Sequence, residues 1–369
     1  MLHLRTTWAT VSARNRLLAL AGIVVPVVLI VAVVAVLAGG PPPVSGPSPI
    51  AVVPSQSAAP TPFVSVPPSL PVPTAAPVPP GVDPDLGTDG RLTVLLLGSD
   101  YRPSRPGNRT DAIMVVSVDP STGQAAAFSV PRDTVNFPLV GGGTFKAKIN
   151  GLYQSFQSRN KDGGGDMREA FAAAFGIEID AYVFIGFRGV RELVAAVGGV
   201  DVRLDRAYYD PYYWVTSTRQ GWGLPKGTSH LGPEDALIFA RSRKGDNDFG
   251  RARRQQLLVF AALDKARSRG LASVPGLLDI AKLTVRTDLR LARSVALFDI
   301  VGRSDLATIT RTVFGPTKYA TGRAGGSFSL NLAACREWIA ANFPPARPFA
   351  SWPEASPAPT ASPSVSPSP

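Results

Sequence analysis

Short apolar runs separated by polar loops set the pattern of the chain, and the charged residues gather at the ends of those runs. Residues 93–97, 112–118 and 125–130 are three such runs, each of the length and content of a buried strand; the first stops at Gly98, where the chain must turn. Asp119-Pro120-Ser121-Thr122-Gly123 joins the second and third as a hairpin, with Asp-Pro opening the turn and Gly closing it. Further on, residues 167–175 carry Ala and Phe at helical spacing and stop at Gly176. A buried strand is expected at 182–187, a helix at 188–197 ended by Gly198-Gly199, and an alternating strand at 200–204. The aromatic stretch from Tyr208 through Trp214 to Trp222 has no usable period; it is read as a lid or a packed surface loop. Pro233 opens a helix, with Glu234 and Asp235 favourably near its amino end and His230 expected to pack at its start. A long helix follows from Arg251 to about Arg269, then two or three helices within 274–301, a strand at 307–313 and a last helix at 330–343.

The ends of the chain follow a different pattern. Residues 17–37 hold no charge and are long enough to cross a bilayer, and Arg5, Arg14 and Arg16 precede them. An uncleaved anchor at 17–38 is expected, with residues 1–16 cytoplasmic and everything after it outside the cell membrane. Cleavage after Ala38-Gly39-Gly40 is the alternative. Residues 39–84 are rich in Pro, Ser and Ala, a composition that cannot bury enough surface to fold and reads as an extended stalk. A similar tract at 352–369 is expected to be disordered, which leaves residues 85–351 as one folded domain.

A formal charge of +11 points to an anionic partner. If the domain lies outside the membrane, nucleic acid is beyond its reach, and a phosphorylated lipid or acidic polymer takes its place. Cys335 is the only cysteine, so no intrachain disulfide can form, and His230 is the only histidine beyond His3. The candidate chemistry is therefore carboxylate and guanidinium. Asp100, Arg109, Asp111 and Arg132 fall at loop edges beside strand ends, where acids can hold a hard cation and arginine can hold phosphate oxygens in a fork. Arg241, Arg243 and Lys244 end one helix, and Arg251, Arg254 and Gln255 share a face of the next by their spacing. Such a run of like charge among Leu237, Phe239 and Phe249 is unfavourable unless an anion neutralises it.

The segments LLLGSD, NRTDAIMVVSVDP, SVPRDT, KIN, LVAAVGGVDV, HLGPEDALIFARSR and DNDFGRARRQQ resemble, in order, the motifs of the LytR-CpsA-Psr family, and the likeness runs from about Leu92 to Leu258. The resemblance implies a three-layer α/β/α sandwich around a mixed central sheet, with a deep apolar pocket for a polyprenyl chain and a charged mouth for its pyrophosphate. It implies an enzyme that moves a glycopolymer from a polyprenyl-pyrophosphate carrier to peptidoglycan. By the same likeness Asp100 and Asp111 are metal ligands for Mg²⁺, or Mn²⁺ in its place. The pyrophosphate residues are Arg109, Arg132, Lys148, Arg241, Arg243, Arg251 and Gln255, with Lys146 a second choice to Lys148. Asp100, Asp111, Arg109 and Arg132 form the catalytic set, and Asp111 or Asp133 is the candidate base. Two other functions fit the same residues: hydrolysis of the carrier by a phosphatase, and non-catalytic binding of lipid-linked polymer. A transcription regulator would need the domain to be cytoplasmic.

Overall fold

A computed structural model describes residues 89–101, 108–119, 122–269, 274–289, 306, 309–316, 318–324 and 326–344. The expected membrane span, stalk and tail lie outside them. Among the described residues no helix is long and apolar enough to cross a membrane.

The three apolar runs become β1 (Leu92–Ser99), β2 (Thr110–Val118) and β3 (Ala125–Ser129), joined antiparallel in that order. After the short pair β4 (Phe137–Pro138) and β5 (Thr144–Phe145), a 3₁₀ turn at Ile149–Gly151 leads into α1 (Leu152–Asn160). Then come α2 (Gly163–Phe175), β6 (Ala181–Gly186), α3 (Phe187–Ala196) and β7 (Val200–Leu204). The aromatic stretch forms a two-stranded hairpin, β8 (Tyr208–Trp214) with β9 (Gln220–Leu224), rather than an irregular loop. Strand β10 (Gly227–Leu231) pairs with β7, and α4 (Pro233–Arg241), α5 (Asp248–Arg269) and α6 (Val274–Thr284) follow. The chain closes with β11 (Val285–Thr287), β12 (Thr310–Val313), the hairpin β13 (Ala320–Ala324) and β14 (Ser327–Leu330), and α7 (Leu332–Asn342).

The central sheet is mixed, in the order β11-β6-β1-β2-β3-β12, with β6 parallel to β1 and β12 parallel to β3. Side chains alternate across it, as a strand's two-residue period requires. Leu95, Leu97, Ile113, Val115 and Phe128 face a layer formed by α1, α2 and α7, where Phe128 stacks on Phe314 at 4.6 Å and meets Phe175 edge-on at 5.0 Å. Val94, Met114, Val116 and Val183 face the other layer, which holds Leu193 and Val194 of α3, Phe239 of α4, Leu258 and Leu263 of α5, and Leu277 of α6. Helices thus cover both faces, and each fully buried Leu, Val or Phe contributes on the order of 1.5–3 kcal/mol. The first layer is tightly filled with aromatic rings, whereas the second encloses an apolar cavity.

Candidate functional site

The cavity opens at the carboxyl end of β1. Gly98 lets β2 press close there: a Cβ on it would lie 2.9 Å from the Cβ of Ala112. One residue on, the pairing slips, so that Gly98 faces Ala112 but Ser99 faces Thr110, and Asp111 is left unpaired in a bulge. Bulges re-aim side chains in this way, and Asp111 turns into the cavity mouth. Asp100 sits beside it, its Oδ1 accepting from the backbone N–H of Arg109 at 3.1 Å. Behind the mouth lies an apolar chamber, walled by Leu96 and Met114 from the sheet, Leu193 of α3, Leu237 of α4, and Leu258 and Ala262 of α5; mouth and chamber together enclose about 440 Å³. That volume falls in the usual range of ligand pockets, about 300–1,000 Å³.

Four arginines line the mouth with the two acids: Arg132, Arg241, Arg243 and Arg251; Gln255 lines it as well. Arg132 Nη1 bonds Asp111 Oδ2 at 3.0 Å, and Asn150 Nδ2 donates to the other oxygen at 2.9 Å. Burial opposes the charge on Arg132, but Asp111, Asp248 and Asp133 outweigh it and hold its pKa above the ordinary arginine value. Arg251 is 5% exposed and pairs with Asp248 at 2.8 Å. Its pKa is pushed down, first by burial and then by the like charges of Arg132 and Arg243, against the attraction of Asp248 and Asp111. An anion between these groups would relieve that penalty, since opposite charge favours the ionised form. Arg241 lies with its guanidinium 4.5 Å over the Phe187 ring and donates to the Tyr213 hydroxyl at 3.2 Å. Gln255 spends one donor on the Ala240 carbonyl at 3.1 Å.

Other expected members sit elsewhere. Arg109 is exposed and does not line the cavity. Lys148 also stands outside the wall, half exposed and paired with Asp133, and Lys146 is exposed. Asp133 is committed to Lys148 and Arg132 beneath the mouth. Its carboxyl stays below the usual range because hydrogen bonds and cations outweigh burial. Arg254 does not share the cavity face with Arg251 and Gln255: it is 4% exposed and turns under the α4–α5 connection. There it donates to the carbonyls of Phe239 at 2.7 Å and Ser242 at 2.6 Å, pairs with Asp246 at 2.8 Å, and lies 4.0 Å over the Tyr208 ring. His230 packs at no helix start but lies on β10, exposed, with Nδ1 2.7 Å from Asp201.

Residue spacing gave no sign of several supporting groups. Asp210 of β8 accepts from Ser242 Oγ and from the backbone N–H groups of Arg243 and Lys244 at 2.6, 3.1 and 2.9 Å, fixing the loop that carries Arg243. Asn150 and Asp248 orient Asp111 and Arg251. The KIN and DNDF segments were the only sequence signals for these two.

The donor set at the mouth suits a hard divalent ion. Mg²⁺ is commonly held by one or two carboxylates, with phosphate oxygens and waters completing its shell, and Asp100 and Asp111 line one opening. Among the described residues no cluster of three or more His, Cys, Asp or Glu could hold a metal without such help.

An α/β/α framework enclosing an apolar chamber with a basic, carboxylate-bearing mouth defines a pocket shaped for an amphiphile. The chain belongs to the LytR_cpsA_psr family, whose model matches residues 75–321, well past the 92–258 over which its motifs are readable. A polyisoprenyl-teichoic acid–peptidoglycan teichoic acid transferase, TagU of Bacillus mycoides, is 35% identical over 202 residues, which are 54% of this chain and 60% of that protein. TagV of Bacillus subtilis, of the same description, is 32% identical over 214 residues, 57% of this chain and 52% of that one. The matches thus span between half and two thirds of these relatives. The crystal structure of B. subtilis TagV superposes with a TM-score of 0.54 at 26% identity, covering 69% of this chain and 97% of that one.

Proposed function

We propose that this protein is a membrane-anchored phosphotransferase that moves a glycopolymer from a polyprenyl-pyrophosphate carrier to peptidoglycan outside the cell. The observation that carries the reading is continuity: one opening joins an apolar chamber to Arg132, Arg241, Arg243 and Arg251. An isoprenoid tail fills the chamber, and its burial is favourable by about 0.8 kcal/mol per CH₂. The arginines take the pyrophosphate oxygens, where charge spreads as the phosphoryl group transfers; such chemistry needs positioning and neutralisation more than a covalent protein group. Mg²⁺, or Mn²⁺, held by Asp100 and Asp111 would add Lewis-acid neutralisation of those oxygens. Arg132 and Asn150 hold Asp111 in its aim. The muramic acid 6-hydroxyl attacks the glycopolymer-side phosphorus, the bond from that phosphorus to the bridging oxygen breaks, and polyprenyl monophosphate leaves. Asp111 and Asp133 are the two carboxylates near enough in sequence to the strand ends to take the hydroxyl proton, and of them only Asp111 lines the mouth. The anchor at residues 17–38 keeps the domain at the membrane face where such carriers reside.

The test incubates the full chain in detergent with lipid-linked polymer, with and without peptidoglycan. Polymer covalently joined to peptidoglycan, with release of polyprenyl phosphate, is the expected product. Free phosphorylated polymer alone would make the protein a hydrolase, and unchanged donor would make it a binding protein.

A further inference from the structure

The β8–β9 hairpin places three large aromatics in solvent beside the mouth: Tyr209 at 60%, Tyr212 at 65% and Trp214 at 60% exposure. Single exposed apolar residues are ordinary, but Tyr212 and Trp214 stand two apart on one strand, a spacing that sets side chains on the same face, and such a pair marks an interaction surface. Backbone glycines shape it: a Cβ at Gly223 would meet the Tyr209 ring at 2.8 Å, so that ring lies against β9 as a flat platform. Trp214 also lines a second cavity of about 470 Å³, with Arg219, Glu234 and Asp235. It shares Tyr213, Leu237 and Arg241 with the first chamber, so these three residues stand between the two.

The chemistry of this surface selects its occupant. Carboxylates accept hydrogen bonds from hydroxyls, and Glu234 and Asp235 keep capacity for them beyond Arg191 Nη1 at 3.3 Å and Trp222 Nε1 at 2.9 Å. Tyr and Trp offer broad contact at low entropy cost to the apolar face of a sugar ring. These acids balance Arg219 and Arg241 in the lining, so it offers no net attraction to an anionic lipid surface or a phosphate-rich polymer. We propose that the hairpin and second cavity bind the acceptor glycan, as a strand of β-linked N-acetylhexosamines, and lead it past Arg241 to the pyrophosphate. This rests on the transferase reading and supplies its acceptor side.

Calorimetric titration of the full chain in detergent with chitotetraose tests the proposal. Saturable binding is expected, weakened at least tenfold in Trp214→Ala and in Tyr212→Ala, with unchanged melting and unchanged affinity for a polyprenyl pyrophosphate. No binding by a wild type that still takes the pyrophosphate, or equal affinity in both variants, would overturn it. So would loss of binding to phosphatidylglycerol vesicles in those variants with glycan affinity kept, which would assign the hairpin to the membrane. Glycan binding that persists where no transfer is seen would retain this site and reject the transferase reading instead.

Discussion

Arg132 and Asp111 meet at 3.0 Å across two strand ends, one just past β3 and the other in the β2 bulge, with side chains 18% and 28% exposed. The pair orients both groups: Asp111 is kept at the mouth, and Arg132 presents its remaining edge between Asp111 and Asp248, 3.8 Å away.

Arg132→Ala is expected to weaken binding of a polyprenyl pyrophosphate by about tenfold to a hundredfold, since a hydrogen bond to a charged group contributes about 1.5–3 kcal/mol. Arg132→Lys keeps the charge but loses the fork, and falls between the two. Calorimetric titration measures both, and melting curves guard the interpretation: a variant that unfolds where wild type is stable would make Arg132 a structural residue.

Asp210 gives a pH signature. Burial pushes its carboxyl up, but the hydrogen bonds from Ser242, Lys244, Tyr212 and Arg243 outweigh that and leave its pKa below 3.8. A group depressed on folding stabilises fully above its unfolded pKa and loses that contribution as pH falls through the lower folded value. Asp210→Asn should therefore be less stable at neutral pH, by about 1.5–3 kcal/mol, and the gap to wild type should close below pH of about 4. Urea unfolding at neutral and acid pH checks this; a constant gap would refute it.

Arg132, Asp111 and Asp210 also mark what can be read from the chain. Arg132 and Asp111 flank apolar runs and announce themselves. Asp210 does not, because β8 alternates in burial while its chemistry is inverted: Asp210 is inside, and Tyr209 and Pro211 are outside. The hairpin was therefore illegible as a strand. Helix α1 has no sequence signature because only Leu152 and Tyr153 are buried, leaving no apolar stripe. The start of α2 lies four residues before the expected 167, since Gly163-Gly164-Gly165 has the composition of a loop and only the cap by Asp162, which accepts from Gly165 N at 2.9 Å, makes it helical. Spacing put Arg254 on the face of Arg251 and Gln255, yet the carbonyls left at the end of α4 draw it inward. Helical periodicity fixes which residues are neighbours, but the partners across the next turn decide which way they point.

Gly98→Val tests the bulge. A side chain here collides with Ala112, and overpacking of this kind costs about 1–3 kcal/mol. The expected result is a lower melting temperature together with loss of transfer, while Gly98→Ala with Ala112→Gly restores both. Failure of the double variant to recover would mean that Gly98 acts other than by close approach.

Removal of divalent ions by chelation should abolish transfer, and adding Mg²⁺ or Mn²⁺ should restore it. Asp100→Asn and Asp111→Asn should each raise the Mg²⁺ concentration needed for half-maximal rate, a readout separate from folding. Full rate in chelator would remove the metal.

Filling the chamber separates the tail from the head group. Ala262 of α5 is 8% exposed and faces the apolar wall, so Ala262→Phe adds bulk into open space rather than into packed neighbours. Excluding two methylenes of a bound isoprenoid costs about 1.6 kcal/mol, or about fifteenfold in affinity. Polyprenyl pyrophosphate should thus bind at least that much more weakly, inorganic pyrophosphate should bind as before, and the melting temperature should hold or rise because the cavity is better filled. Equal weakening of both ligands would mean that the substitution disturbs the arginines, and no weakening of either would place the tail elsewhere. Only the selective loss is consistent with a chamber that holds a hydrocarbon chain behind a diphosphate.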